Sequence, residues 1–207
     1  IDVCPGTLAP GFNTYSPTCL RKVFGGKKVS HIMDLSINDD TGSEIVASIN
    51  KISISGVQEK ISAIIRKGKI IITPDGEFGR YIIKPIPEYR NLRFRHNIPA
   101  NEHLTMQIAN QVYKINTAAN ALAFFADGNP FYITKRFDYK ADESKIRQDD
   151  FASIAGKTER NSGSDFKYSG SYEDIAKLLK QNVSAWQVEM VKYFTLVVFN
   201  YLFSNGD

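Results

Sequence analysis

The sequence predicts an α+β chain in which a β-rich lobe is followed by a helical lobe. Two observations carry this. Between Ile52 and Lys135 lie several short runs rich in Ile, Tyr and Phe, punctuated by Lys67-Gly68, Pro74-Asp75-Gly76 and Asp127-Gly128-Asn129. Such runs between turn residues are the mark of strands joined by tight turns. After Asp138 that pattern stops, and Ala185–Phe203 is apolar nearly all round, which predicts a helix destined for a core. With a hinge expected near 135–139, the chain divides into a short N-terminal segment (1–50), a β-rich lobe with its hinge (51–138) and the start of a helical lobe (139–207).

Residues 1–36 open with Pro5, Gly6, Pro10, Gly11 and Pro17, so a loop is expected, then a short helix near 17–24 stopped by Gly25-Gly26. Asp39-Asp40-Thr41-Gly42 is a turn or a helix start. Lys60–Arg66 and Lys69–Thr73 flank Lys67-Gly68 as a hairpin, and Arg80–Lys84 is a third strand. Leu104, Ile108, Ala109 and Val112 recur at helical spacing, so a helix over about 100–113, capped by Asn101, covers one face of the sheet. Two further strands follow at Ala118–Ala126 and Pro130–Lys135. Beyond the hinge, Tyr139–Lys145 is a connector and 148–156 a short helix. Lys157–Gly170 is Gly/Ser-rich and is expected to be a mobile loop. Helices follow at 172–180 and 185–203, the last central and buried.

Composition bounds the function. The 26 basic and 22 acidic residues leave a net charge of +4, which permits an anionic ligand but does not demand nucleic acid. Cys4 and Cys19 have no metal-ligand or disulfide-framework spacing, and reduced thiols in a cytoplasm are expected. Residues 1–15 lack the basic start and apolar stretch of a signal peptide, and the apolar segment 191–203 is too short to span a bilayer, so no membrane partner is expected. The chain begins at Ile1 and stops on Asp207, and both ends read as cut.

The chemistry concentrates in residues 51–84. Ser53-Ile54-Ser55-Gly56-Val57-Gln58-Glu59-Lys60 is a glycine-containing loop, and Tyr81-Ile82-Ile83-Lys84 is a strand ending on a lysine. Backbone amides at a glycine approach phosphate oxygens closely, and a neighbouring lysine adds a point charge. The chain holds neither G-x-G-x-x-G nor G-x-x-x-x-G-K-[ST], so the residues alone leave open an ordinary Ser-Gly turn and a solvated strand-end lysine. Glu102 lies 18 positions after Lys84, near the start of the covering helix. It is either a favourable charge at a helix N-terminus or the glutamate that pairs with a phosphate-binding lysine. Arg90–His96 is basic with aromatic interleaving, and the residues alone fit an RNA contact or, more simply, a solvated basic loop.

Six short motifs, in order, resemble the HipA-like serine/threonine kinases, the toxin halves of bacterial toxin–antitoxin pairs. They are the Ser53–Lys60 loop, Ile82-Ile83-Lys84-Pro85, Asn101-Glu102-His103, Lys135-Arg136-Phe137-Asp138, Gln148-Asp149-Asp150-Phe151 and Asn205-Gly206-Asp207. The resemblance covers roughly residues 50–207 and is to the smaller, HipT-type members. It implies a two-lobed, protein-kinase-like fold with an antiparallel β-rich N-lobe, one covering helix and an incomplete helical C-lobe. It implies that Ser55, Gly56, Val57, Gln58, Glu59, Lys60, Lys84, Lys135, Arg136 and Phe137 surround ATP, with Mg2+ as cofactor. Lys135 stands where the best-known members carry an acidic residue, so only a backbone contact carries over there, and Asp138 is expected to tie the hinge by a salt bridge.

Asp207 corresponds to the family's catalytic base, and Ser53 or Ser55 to its autophosphorylated serine. No metal ligand of the family falls within the chain, so by this resemblance the chain alone is inactive. The implied substrate is a protein, an aminoacyl-tRNA synthetase. The implied partner is a helix-turn-helix antitoxin through which DNA is met only indirectly. A non-catalytic remnant that binds antitoxin or nucleotide is the alternative, and a small-molecule or lipid kinase of the same broad fold a weaker one.

Overall fold

The computed structural model describes residues 2–35, 60–87, 93–140, 142 and 144–205. The loop Ser53–Glu59, the turn at 39–42, Arg90–Leu92 and the final Gly206-Asp207 therefore lie outside the described residues. The chain forms two compact units, 1–139 and 140–207.

In the first unit, six described strands make one sheet: β1 (Ile32–Met33), β2 (Ile61–Arg66), β3 (Lys69–Ile72), β4 (Tyr81–Lys84), β5 (Asn120–Phe125) and β6 (Pro130–Lys135), in the order β1-β5-β6-β4-β2-β3. All neighbours are antiparallel except β1, which lies parallel to β5. The β2–β3 hairpin closes on Lys67 (φ 49°) and Gly68 (φ 76°), two successive left-handed residues, as a two-residue turn matched to strand twist requires. The two-residue β1 carries too little pattern to be read from sequence.

Strand alternation separates two faces. On one, Ile61, Ala63, Tyr81, Ile83, Ala121, Ala123, Phe125, Phe131 and Ile133 join Cys4, Tyr15, Cys19, Val23 and Phe24 in a continuous core. Helix α1 (Pro17–Phe24) and the loop before it supply that second set. The helix forms as expected: Ser16 caps it by accepting from the Cys19 amide, Pro17 occupies its first turn, and Gly25 (φ 63°) ends it. The loop is stitched to the sheet, with the Leu122 amide donating to Pro5 O at 2.8 Å and the Tyr15 hydroxyl to Leu122 O at 3.0 Å.

The other face is covered by α2 (Ile98–Gln111). The sheet thus has two covers rather than the one helix expected. Helix α2 also begins earlier than expected: Asn97 is its N-cap, without a side-chain bond, and Asn101 lies inside the first turn. Pro99 sits at the start of the helix, where its missing N–H costs no hydrogen bond, so it does not mark the boundary.

The second unit contains α3 (Phe151–Ile154), α4 (Glu159–Ser162), α5 (Tyr172–Asn182) and α6 (Trp186–Leu202). Helix α4 interrupts the stretch expected as loop, because Thr158 and Asn161 complete a reciprocal capping box around one turn. Ser171 and Asp174 build the same device on α5. Helix α6 corrects an expectation. Among its described residues Phe199 is the buried one, whereas Val191 and Phe194 are each 67% exposed. It packs against α5, with the Tyr193 hydroxyl on Tyr172 O at 3.1 Å, and a helix apolar on every side has more such surface than one neighbour covers.

At Gly6 the N-terminal loop lies close against α1. A Cβ there would sit 2.0 Å from Cys19 Sγ and 3.5 Å from Ala121 Cβ. Gly6→Ala is therefore expected to destabilise the first unit by about 1–3 kcal/mol, through overpacking, measured as a lower midpoint in urea unfolding.

Candidate functional site

Lys84 closes β4, a central strand, and its partner in register on β6 is Tyr132. Both side chains lie on the α2 face. Lys84 Nζ sits 5.6 Å from the centre of the Tyr132 ring and 2.5 Å from Glu102 Oε1 on α2. The Lys84 and Glu102 side chains are 23% and 25% exposed, so the pair is neither sealed nor fully hydrated. Burial first, and the Glu102 charge second, push the Tyr132 hydroxyl well above the ordinary tyrosine range, so it stays protonated beneath the lysine. The result is an ammonium held from two sides with an accessible third.

Lys60 precedes β2, and the register that sets Ile61 opposite Ile83 carries it level with Lys84. Two lysines thus stand at one end of the sheet on neighbouring strands, which is chemistry suited to a polyanion. Ser53, Ser55, Gly56, Val57, Gln58 and Glu59, expected to complete this cradle, lie outside the described residues. So does Asp207. Asn205, the described residue of that last motif, folds back on α6, with its amide on Asn200 O at 2.8 Å.

Helix α2 is locked against the sheet one residue beyond Glu102. His103 is 2% exposed, and its Nδ1 lies 3.0 Å from Asn120 Oδ1 on β5. Gln107 Nε2 donates to the same oxygen at 2.9 Å, and Asn120 Nδ2 donates to Ala118 O at 2.8 Å. His103 Nε2 is buried with no partner. Burial lowers the His103 pKa, only partly offset by the bond to Asn120, so the neutral ring is favoured. This polar knot was not foreseen. Asn120 opens an otherwise apolar strand, and that lone polar residue is the signal that could have drawn attention to it.

The hinge residues divide by role. Lys135 pairs with Tyr81 across β4–β6, and its amide donates to Ala119 O at 2.8 Å. The strand pleat places its side chain on the face opposite to Lys84, so the two do not converge. Arg136 is committed to structure. It donates to both Asp138 carboxylate oxygens at 3.0 and 2.6 Å, and its guanidinium lies 5.4 Å from the Phe78 ring and 4.6 Å from that of Tyr139. Its hydrogen bonds to the Asp138 carboxylate raise its pKa, keeping the charge fixed. Asp138 does tie the hinge through this ion pair. Phe137 alone of the three presents its ring outward, 69% exposed. The Tyr81–Lys135 pair lies three residues from Lys84, about 10 Å along the strand. Arg93 and Phe94 form a local stack, Arg93 Cζ lying 5.2 Å from the ring centre, ahead of a 3-10 turn at Arg95–Asn97.

A glutamate from the covering helix gripping the terminal lysine of a central strand is the arrangement of a kinase N-lobe. Comparison with known proteins agrees. The HipA-like C-terminal domain matches residues 52–207, three quarters of the chain. The chain belongs to the HipA-like family. A curated relative from Haemophilus influenzae, named "Putative kinase", is 27% identical over 161 residues, covering 75% of this chain and 45% of its own length. HipA of Shewanella oneidensis MR-1, solved with HipB and operator DNA, superposes with a TM-score of 0.51 at 17% identity, covering 80% of this chain and 44% of that one. The chain therefore spans about half the length of the relatives it matches, and the HipA-like fold is shared at the level of architecture.

The buried His103, favoured in its neutral form, is expected to make this HipA-like N-lobe acid-sensitive. Its folded pKa lies below the unfolded value, so the unfolded chain takes up the proton more readily. The stability it contributes is present above about pH 6.5 and is lost as pH falls through the lowered folded value. Stability measured by urea unfolding is expected to drop from pH 7 toward pH 5, and His103→Gln should flatten that slope relative to the wild type.

Proposed function

We propose that this chain forms the nucleotide-binding lobe and the beginning of the catalytic lobe of a HipA-like serine/threonine protein kinase that consumes Mg-ATP. The observation that carries the reading is the Lys84–Glu102 ion pair at 2.5 Å, set on a central strand and on the helix that covers it. It is the element that a kinase needs assembled before phosphoryl transfer.

In this reading Lys84 holds the phosphates, Lys60 adds charge beside it, and the outward ring of Phe137 supplies an apolar wall for the base. In the same reading the amides of Ser55–Glu59, which lie outside the described residues, would contact the phosphates. Mg2+, when bound, neutralises charge developing on the transferred group. Among the described residues no cluster of three or more His, Cys, Asp or Glu is placed to hold it. Asp207 orients the attacking hydroxyl and accepts its proton, the role that its position in Asn-Gly-Asp implies. Transfer to Ser53 or Ser55 would add close to two negative charges beside the phosphate site and expel that loop.

The substrate we infer is a protein serine or threonine, on an aminoacyl-tRNA synthetase by family resemblance. The partner we infer is a helix-turn-helix antitoxin, a reading supported by the complex of the Shewanella protein with HipB and DNA. No described helix is long and apolar enough to cross a membrane.

The test uses the full-length protein with Mg-ATP. Wild type is expected to label itself at Ser53 or Ser55, located by peptide mass spectrometry. Lys84→Met is expected to lower the rate at least about 100-fold, the scale for loss of one preorganised charge, with its unfolding midpoint little changed. Full-rate labelling by Lys84→Met would remove the kinase reading.

A further inference from the structure

Strand β6 ends at Lys135, and the pairing with the β4 side carries one bond further, from the Arg136 amide to Arg80 O at 2.9 Å. Past that bond the two neighbours of Phe137 are held by their side chains. Arg136 and Asp138 close on each other through two hydrogen bonds, both part-buried. The guanidinium of this clamp lies beside two rings, with Phe78 at 5.4 Å and Tyr139 at 4.6 Å. Those rings also meet each other, their centres 4.0 Å apart and their planes inclined by 50°. A cation set against aromatic rings and a bidentate carboxylate is held in direction as well as in place. Phe78 and residues 136–139 all belong to the first unit.

Phe78 comes from the segment between β3 and β4, and that segment is itself anchored. Glu77 accepts two bonds from Arg66 Nη2 on β2, at 2.7 and 2.6 Å. Gly79 is buried against the Ser62 and Thr73 hydroxyls, which lie 2.9 Å apart. A Cβ on Gly79 would stand 1.7 Å from Ser62 Oγ, so only glycine fits there. Phe78 is thus fixed from the sheet, whereas the ring of Phe137 projects outward.

We propose that Phe78 and Tyr139 are positioning residues for the base of a bound nucleotide. They hold Arg136, Arg136 holds Asp138, and the clamp between those two aims the ring of Phe137. The inference rests on the reading of this lobe as nucleotide-binding, in which Phe137 is the apolar wall for the base. A gap of about 0.5–1 Å forfeits a quarter to a half of the attraction between packed atoms. A wall for a flat base is therefore useful only when the backbone that carries it is held. The ammonium of Lys84 acts over a longer range and stands about 10 Å away along the strand, so loosening the cluster leaves it in place. Phe78 thus governs affinity for the base and not affinity for the phosphates. Neither Phe78 nor Tyr139 needs to touch the nucleotide to do this.

The experiment compares two probes on the full-length protein by calorimetry: Mg-ATP, which carries a base, and Mg-tripolyphosphate, which does not. Phe78→Leu removes the ring and keeps an apolar side chain. It is expected to bind Mg-ATP about 5–10-fold more weakly than wild type, the scale of one lost cation–ring contact, and to bind tripolyphosphate with unchanged affinity. Phe78→Tyr, which keeps the ring, should bind both probes as wild type does. Tyr139→Leu carries the same comparison should Phe78→Leu fail to fold. Undiminished Mg-ATP affinity in the leucine variants would overturn the proposal. So would equal losses for the two probes, which a general loosening of the lobe would produce. Wild type that binds tripolyphosphate as tightly as ATP would overturn it too, while leaving the phosphate site of the kinase reading intact. Wild type that binds neither probe would remove that reading and this inference together.

Discussion

One ion pair organises the first unit. Lys84 must leave a central strand and Glu102 must leave the helix packed on it, and the two must meet. The pair contributes little to stability. With each side chain about a quarter exposed, it is worth on the order of 1 kcal/mol or less after solvent screening. Its consequence is geometric: it fixes where a positive charge stands at the end of the sheet. The expensive part of the arrangement lies around it, in the residues that hold the strand and the helix to one distance.

Those residues form two layers of different character. On the α1 face the sheet is sealed by apolar packing, with Ile61, Ile83, Phe131 and Ile133 against Val23 and Phe24. That face supplies burial, at about 25 cal/mol per Å2 of apolar surface, and leaves β4 and β6 no freedom to slide. On the α2 face the seal is polar. His103 and Gln107 both engage Asn120 Oδ1. A buried polar group without its partner costs about 1–3 kcal/mol, so this knot permits one helix position and penalises the rest. Specificity on one face and adhesion on the other together place Glu102 opposite Lys84.

The parts readable from sequence were those governed by local chemistry. The turn at Lys67-Gly68, the strand ending on Lys84, the Ser16-to-Gly25 helix and the hinge ion pair of Asp138 each depend on residues close together in the chain. What escaped depends on contacts far apart. Asn120 reads as an ordinary residue of the strand Ala118–Ala126 until His103, 17 positions earlier, is brought beside it. The N-terminal loop shows no pattern of its own, yet packs as the second cover of the sheet. Lys135 falls in a hinge motif, but strand parity turns it away from Lys84, which only the register of β4 on β6 reveals. Helix α6 failed differently: apolar periodicity reports what a helix can bury, not what is present to bury it.

A double-mutant cycle on nucleotide affinity tests the ion pair most directly. Mg-ATP binding to the full-length protein would be measured calorimetrically for wild type, Lys84→Met, Glu102→Gln and the two combined. If Glu102 acts by positioning Lys84, removing it after Lys84 has gone changes nothing further, and the combined variant binds as weakly as Lys84→Met alone. Losses that simply add would contradict the account, because they would mean that the two residues meet the nucleotide independently.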